Sequence, residues 1–455
     1  MTKTLALFDL DHTLLPIDSD YEWGQFLVRI GAVDKDRFEK RNAEFFAQYQ
    51  AGTLDAAEYL AFALGTLAQF PRPRLNRWRQ QYMDEVISPA IRSSARNLIE
   101  NHLKNNDLVA IVTATNKFVT VGMESCFVNM VAPGDKVVVC RNGVFGGRMI
   151  ENVERCKGTP IIVEGTWGEP VDPNAVEDAL KKNPDARIVA FVHAETSTGC
   201  VSDAKTLAEV AHKHDCLTIV DAVTSLAGCP LKVKEWDLDA VYSASQKCLS
   251  CTPGLSPVTY SDRVIDYVTG RKDKVQSWFM DLNLILNYWG HTVRTYHHTA
   301  PINGLFALHE ALLLLKEEGI ENTWARHQRH YQALKAGFEA MGLKFLVKEE
   351  KDRLPQISTI MVPEGIDEAE VRSKLLSEFN VEIGAGLGPL AGKVWRFGLM
   401  GYTANSANVM LCLSALGSIL SKMGYPVKVG EAEAAAHQSY ANQHTSMAQK
   451  ARSRS

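Results

Sequence analysis

No cysteine precedes Cys126; all nine in this 455-residue chain lie at or after it, at scattered spacings. Scattered thiols without a paired framework argue against a disulfide-stapled secreted domain and for a reducing compartment. A cytoplasmic location is therefore expected, with the peroxisome and mitochondrion left open although the chain lacks a C-terminal SKL-type signal. Basic runs are also missing: with a net charge of −4, nothing favours a nucleic-acid partner. No apolar stretch approaches a membrane span, and the opening MTKTLALFDLDHT reads as a strand rather than a secretory leader. Cys248-x-x-Cys251 has no second pair and no histidine beside it, so it reads as coincidence rather than a zinc or redox motif. What remains is 46% apolar and 22% charged, the composition of a globular protein with large cores, at a length that suggests two or three domains. The uneven cysteines agree with two segments of separate origin.

The first segment opens with an apolar strand, LALFDLDHTLL, that ends in Asp9-x-Asp11-x-Thr13. Two carboxylates two residues apart on a strand emerge on the same face. That suits one carboxylate attacking a phosphoryl group while the other handles the proton and a Mg²⁺ offsets the charge; a plain strand-to-turn transition is equally open on these residues alone. Apolar residues then recur at three and four from Tyr21 to about Leu103, as helices do. A second strand, LVAIVTAT, ends at Thr113, whose hydroxyl could hold a phosphoryl oxygen. FDLDHTL followed by VAIVTATN resembles the haloacid-dehalogenase superfamily of phosphatases, in its phosphoserine-phosphatase-like branch with a helical cap. The resemblance implies Asp9 as nucleophile, Asp11 as general acid/base, both as Mg²⁺ ligands, and Thr113 as a substrate-phosphate contact. It also implies a later Lys or Arg and a later acidic pair. Neither follows Thr113, so the metal site is expected to be incomplete.

From Val121 the pattern changes to alternating strands and helices. DKVVVC, TPIIVE, ARIVAFVHAET, CLTIVDAV and LDAVYSAS read as buried strands, separated by helical stretches such as PNAVEDALKKN and AKTLAEVAHKH. This alternation argues for a mostly parallel sheet covered on both faces, with ligands at the C-terminal ends of its strands. Those ends carry Thr196-Ser-Thr-Gly199, Asp221 and Lys247. An Asp at one strand end and a Lys after the next suit pyridoxal 5'-phosphate, whose Schiff base needs an amine and whose ring nitrogen needs a carboxylate.

The stretch from about Val121 to Tyr425 resembles the fold-type I aminotransferases, in particular the alanine–glyoxylate/serine–pyruvate group. VGMESCFVNMVAPGDKVVVC, HAETSTG, VDAVTS, SASQK, TYHHTAP and GLGPLAGKVWRFGLMGY match it in order. The resemblance implies Lys247 as the Schiff-base lysine and Asp221 as the pyridinium partner. Val223 would pack on the ring, with Thr196 near its hydroxyl and Gln246 on the phosphate. Tyr296 and Thr299 would reach the phosphate in a partner subunit, hence a homodimer. Arg396 would clamp the carboxylate of a small amino acid or 2-oxo acid with its two-pronged guanidinium, and Thr120 would lie near the ring face.

The expected architecture is therefore α/β: a partial Rossmann-like phosphatase domain with a helical cap, fused to a fold-type I aminotransferase large domain plus a small α+β C-terminal domain. The expected boundaries are 1–120 (cap about 16–95), 121–300 and 301–425, with 426–455 a frayed helix or a disordered tail poor in large apolar residues. What is missing lies at the join. Aminotransferases of this group carry a Ser/Gly-rich turn before the helix of VGMES, where backbone N–H groups hold the cofactor phosphate. Lys117-Phe-Val-Thr120 stands in its place, and bulky residues serve poorly where backbone must approach closely. Both families hold a phosphate with a strand, a polar turn and a helix, so Thr113, Thr115 and Asn116 could substitute. Three classes stay open: a pyridoxal-phosphate transaminase impaired at the phosphate cup, a Mg²⁺-dependent phosphatase acting through Asp9, and a non-catalytic fusion.

Overall fold

The computed structural model describes residues 5–8, 19–50, 62, 69–91, 108–111, 119–289 and 296–452. They divide into two compact units, one drawn from Met1–Asn116 and Leu284–Phe306, the other from Lys117–Asn283 and Ala307–Ser455.

In the first unit LALF forms β1 (Leu5–Phe8) and LVAI forms β2 (Leu108–Ile111). They pair in parallel, Leu5 opposite Leu108 and Phe8 opposite Ile111. Parallel neighbours need a long crossover. The residues between them include α1 (Ser19–Arg29), α2 (Lys35–Gln50) and α3 (Arg72–Tyr82), the last running on into a π-helical turn, Met83–Ile87. Phe26, Leu27, Tyr82 and Ile87 make a small core, with Trp23 stacked on Phe26 and edge-on to Tyr82. Asp9, Asp11 and Thr113 lie outside the described residues.

The second unit is built on a six-stranded sheet of order β10–β9–β8–β5–β3–β4. Its strands are β3 (Lys136–Arg141), β4 (Thr159–Glu164), β5 (Ala186–Val192), β8 (Leu217–Asp221), β9 (Ala240–Tyr242) and β10 (Val258–Tyr260). All are parallel except β10, which runs antiparallel to β9. A two-stranded ribbon, β6 (Ala194–Glu195) with β7 (Cys200–Val201), follows β5. The helices are α4 (Val119–Met130), α5 (Val144–Arg155), α6 (Pro173–Lys182), α7 (Ala204–Lys213) and α8 (Asp262–Thr269); α9 (Leu282–Trp289) follows and belongs to the first unit from Leu284 on. Successive strand residues point to opposite faces. Val138, Cys140, Val189, Phe191 and Val220 accordingly share one core with Val176 and Leu180 of α6 and Leu207 of α7. Val137, Val139, Ile188 and Ile219 turn the other way and are equally buried, as are Met123 and Phe127 of α4 and Met149 of α5. Full burial of one such side chain is worth roughly 1.5–3 kcal/mol. Asp172 and Asp203 accept the N–H groups of Asn174 and Thr206, capping α6 and α7 at their starts.

One strand departs from expectation. TPIIVE reads as buried, but β4 is the sheet edge, paired only with β3, and Ile162 is 45% exposed. An edge position leaves one flank of the strand without a neighbour.

The C-terminal part adds a three-stranded antiparallel sheet, β11 (Ile357–Met361), β13 (Val394–Gly398) and β12 (Gly384–Ala385) in that order. Around it pack α11 (Ile320–Ala340), α12 (Glu368–Phe379) and α13 (Ser406–Lys422), while Leu308 and Leu315 of α10 (Ile302–Glu318) pack against Ala227, Cys248 and Leu249. Phe338, Trp395, Phe397, Leu413, Leu416 and Ile419 form the core. The tail, expected to be a frayed helix or disordered, forms helix α14 (Glu431–Arg452). Ala432, Ala436 and Tyr440 recur every fourth residue and are buried in that same core. His330 of α11 meets the Tyr440 hydroxyl through Nδ1 at 2.8 Å. Among the described residues no helix is long and apolar enough to cross a membrane.

Candidate active site

Asp221 is the last residue of β8 and is buried. Its register neighbour on β9 is Tyr242, whose hydroxyl donates to Asp221 Oδ2 at 2.9 Å; the Val223 N–H donates to Oδ1 at 2.9 Å. Burial pushes the carboxyl up to about 7, against the pull of those two donors and of Lys247. A buried acid held near neutrality in this way is poised to pair with a cationic ring nitrogen.

Lys247 follows β9 on a loop of small residues that folds back on the sheet end. Ser243 Oγ donates to Ala222 O and Ser245 Oγ to Thr252 O, while the Ser245 N–H donates to Leu255 O. Only small side chains with hydroxyls satisfy the backbone at such close quarters. Burial, and then the charge of Arg396, hold the Lys247 amine below the usual lysine range. Among the described residues no carboxylate pairs with it. A lysine depressed by desolvation spends more time neutral and is a better nucleophile. The Gln246 amide oxygen beside it is buried with no partner among the described residues. Cys248 and Cys251 are both free thiols, and burial pushes Cys248 up to about 12, which makes it inert.

Arg396 lies on β13, opposite Thr359 of β11 and Gly384 of β12. Its Nε donates to Ala385 O at 2.7 Å and its Nη1 to Thr196 O at 3.2 Å, while Nη2 has no partner among the described residues. The fork is thus fixed at its base and open at one tip. Thr196 and Val223 are both buried.

Sequence reading passed over Glu195. Its carboxylate is buried against Gly143, where any Cβ would collide with it, and accepts the N–H groups of Phe145 and Ser197 and the Ser197 hydroxyl. Ser197 Oγ in turn accepts the Val144 N–H, so the pair cap α5 from outside the helix and hold Thr196 between them. The capped helix lies some fifty residues earlier in the chain, so no local pattern could have signalled this. Tyr242 was missed for the same reason: its role depends on the β8–β9 register.

Six expected residues therefore share the second unit, Lys247, Asp221, Val223, Gln246, Thr196 and Arg396. They are linked by the Val223–Asp221 and Arg396–Thr196 bonds and by the charge coupling of Lys247 to Asp221 and Arg396. Thr120 stands in the first turn of α4, its side chain outside the described residues. That helix approaches the same region: a Cβ at Gly122 would collide with Ser256 Oγ and lie 3.1 Å from the Tyr242 Cβ. Tyr296 and Thr299 belong to the first unit, their hydroxyls 2.9 Å apart, with Tyr296 61% exposed. Among the described residues no group of three His, Cys, Asp or Glu could hold a metal ion.

Comparison with known proteins agrees with both halves of this picture. A family model described as aminotransferase class-V matches residues 84–404, and one described as haloacid dehalogenase-like hydrolase matches residues 6–130. The chain is 37% identical to the (S)-ureidoglycine–glyoxylate transaminase of Bacillus subtilis, over 70% of this chain and 81% of that protein. It is 36% identical to the alanine–glyoxylate aminotransferase of Mus musculus, over 66% of this chain and 72% of that one. The crystal structure of an alanine–glyoxylate aminotransferase from Nostoc sp. superposes with a TM-score of 0.64 at 42% identity, covering 66% of this chain and 79% of the other.

Proposed function

This chain belongs to the class-V aminotransferases, and we propose that within that family it moves the amino group of alanine or serine onto glyoxylate or pyruvate. Pyridoxal-phosphate-dependent transamination between amino acids and 2-oxo acids is the family's chemistry. The donor and acceptor named here rest on the glyoxylate transaminases it is similar to.

The residues present fit the cofactor. A desolvated lysine amine, a buried carboxylate near neutrality, the partnerless Gln246 amide and the first turn of α4 suit in turn an aldehyde, a pyridinium, a polar substituent and a phosphate. Lys247 would hold it covalently, Asp221 would face its ring nitrogen, Val223 and Thr120 its ring face, Thr196 its hydroxyl, and Gln246 the phosphate end. Bound there, pyridoxal phosphate supplies the carbonyl that exchanges amines and an electron-withdrawing ring.

The chain's own residues do the rest. Arg396 offers its free Nη2 edge to the substrate carboxylate and so fixes which face of Cα is presented. Lys247 Nζ, its proton affinity lowered by burial, would take the substrate's Cα proton and return it. The Asp221 carboxyl would hold a proton on the ring nitrogen of the bound cofactor. Burial of Asp221, Tyr242 and Thr196 keeps bulk water from the site. We place the enzyme in the cytoplasm, consistent with its nine free cysteines. It acts as a homodimer, Tyr296 and Thr299 serving the partner's cofactor; the exposed Leu312, Leu313 and Leu314 of α10 support an interface.

The observation that carries this reading is the coupled set of Lys247, Asp221 and Arg396 at the strand ends of one unit. The test is incubation of the protein with pyridoxal phosphate, glyoxylate and either alanine or serine. Glycine should form, with pyruvate or hydroxypyruvate as co-product. Amino transfer from neither donor to glyoxylate or pyruvate would reject the substrate assignment.

A further inference from the structure

The loop that leaves β13 is held from two sides, and the chemistry above uses none of these contacts. Just beyond the strand that carries Arg396, Gly401 adopts φ +58°, a left-handed conformation that glycine alone enters freely. A Cβ there would collide with Ser250 Oγ and lie 2.8 Å from Cys248 O. Ser250 itself has φ +56°; its N–H donates to Lys247 O at 3.0 Å, and its Oγ accepts the Tyr402 N–H at 2.7 Å. The backbone directly after Lys247 is thus seated on Gly401 and Tyr402.

Helix α11 grips the same glycine from the other side. The Gly401 N–H donates to His327 Nε2 at 2.9 Å, and Gly401 O accepts from Arg326 Nη1 at 2.7 Å. Arg326 also donates to Ala404 O and is anchored by Glu318 of α10. His327 Nδ1 lies 2.8 Å from Thr323 O, so its proton sits on Nδ1 and Nε2 is left as an acceptor. Burial holds His327 down to about 4, which keeps that acceptor available at neutral pH; the charged or titratable groups beside it are Arg326, Glu318 and His330.

We propose that His327 and Arg326 are positioning residues which, by fixing both polar groups of Gly401, set the Lys247 loop against the Arg396 strand. The proposal rests on the reading of Lys247 and Arg396 given above. Short peptides join Arg396 to Gly401 and Lys247 to Ser250. A displacement at Gly401 therefore reaches both the amine that moves the proton and the guanidinium that holds the carboxylate. Reaction needs those two groups in one fixed geometry, and small misplacements are costly.

Three variants of the holoenzyme test this. His327→Phe removes the acceptor and keeps the bulk; His327→Gln restores an acceptor at the Nε2 position. Ser250→Ala, at an exposed residue, removes only the acceptor for Tyr402. His327→Phe and Ser250→Ala should each raise substrate KM and lower kcat, with kcat/KM falling roughly tenfold, as one lost hydrogen bond implies. His327→Gln should stay near the parent, and the visible absorption band should keep its position in all three. Hydrogen exchange at the Gly401 and Tyr402 amides, followed without cofactor, should accelerate in His327→Phe. Parental kcat/KM in folded Ser250→Ala overturns the proposal, and it decides alone if His327→Phe does not fold. Equal losses in His327→Gln and His327→Phe would also overturn it, leaving only a packing role. Should the parent show no lysine-linked band, the Lys247 reading fails by itself, while the exchange result still decides whether α11 holds Gly401.

Discussion

The Val223 N–H and the Tyr242 hydroxyl meet the buried Asp221 carboxyl at the sheet end and offset part of its burial. Its acidity in the folded, cofactor-free protein is raised from 3.8 to about 7. The stability it contributes is therefore complete below about 4 and is lost as the pH rises through 7. Tyr242→Phe removes one donor to the carboxylate and should raise that folded value further. The stability deficit of the variant against the parent, measured by denaturant unfolding without cofactor, should widen as the pH goes from 4 to 8. A pH-independent deficit would mean that Tyr242 only fills space. Asp221 was legible in the sequence as a carboxylate ending an apolar run, whereas Lys247 and Arg396 were legible from the motifs SASQK and KVWRFG. Tyr242 and Glu195 were not, since each acts on a partner that only strand register or a distant helix supplies.

Among the elements, β2, the turn after it and α4 are matched by both families, whose models overlap over residues 84–130. At the join, Lys117-Phe-Val-Thr120 stands where a Ser/Gly-rich turn is expected. With Ser at Phe118 and Gly at Val119, pyridoxal phosphate should bind more tightly by up to about two decades, at roughly 1.5–3 kcal/mol per hydrogen bond to a charged group. Unphosphorylated pyridoxal should scarcely respond. Equal tightening of both ligands, measured by titration, would show that the turn is not the weak point. The tail helix was the element least legible. Its composition is poor in large apolar residues, yet Ala432, Ala436 and Tyr440 put one narrow stripe against α11. Small side chains suffice where two helices approach closely. Tyr440→Ala should cost about 3 kcal/mol of unfolding free energy, through the lost ring and the His330 contact, with kcat within twofold of the parent. An unchanged unfolding midpoint would detach the tail from the core.

On the scale of the whole molecule, the mostly parallel sheet and the change of pattern near Val121 were readable from periodicity, because long buried parallel strands leave a strong signal; the strand order was not. The edge exposure of β4 did not, since an edge strand and a central one share residue types. The phosphatase motifs are confined to the first segment, while the aminotransferase match runs on to residue 404. Hydrolysis of phosphomonoesters with Mg²⁺ should accordingly be negligible, and robust turnover lost in Asp9→Asn would contradict that.

The central claim is that this chain is a transaminase working through Lys247, and one absorbance measurement reaches it directly. The purified protein mixed with pyridoxal phosphate should develop a visible band that borohydride abolishes. Lys247→Ala should show neither the band nor amino transfer. A Lys247→Ala protein with the same borohydride-sensitive band as the parent would contradict the assignment.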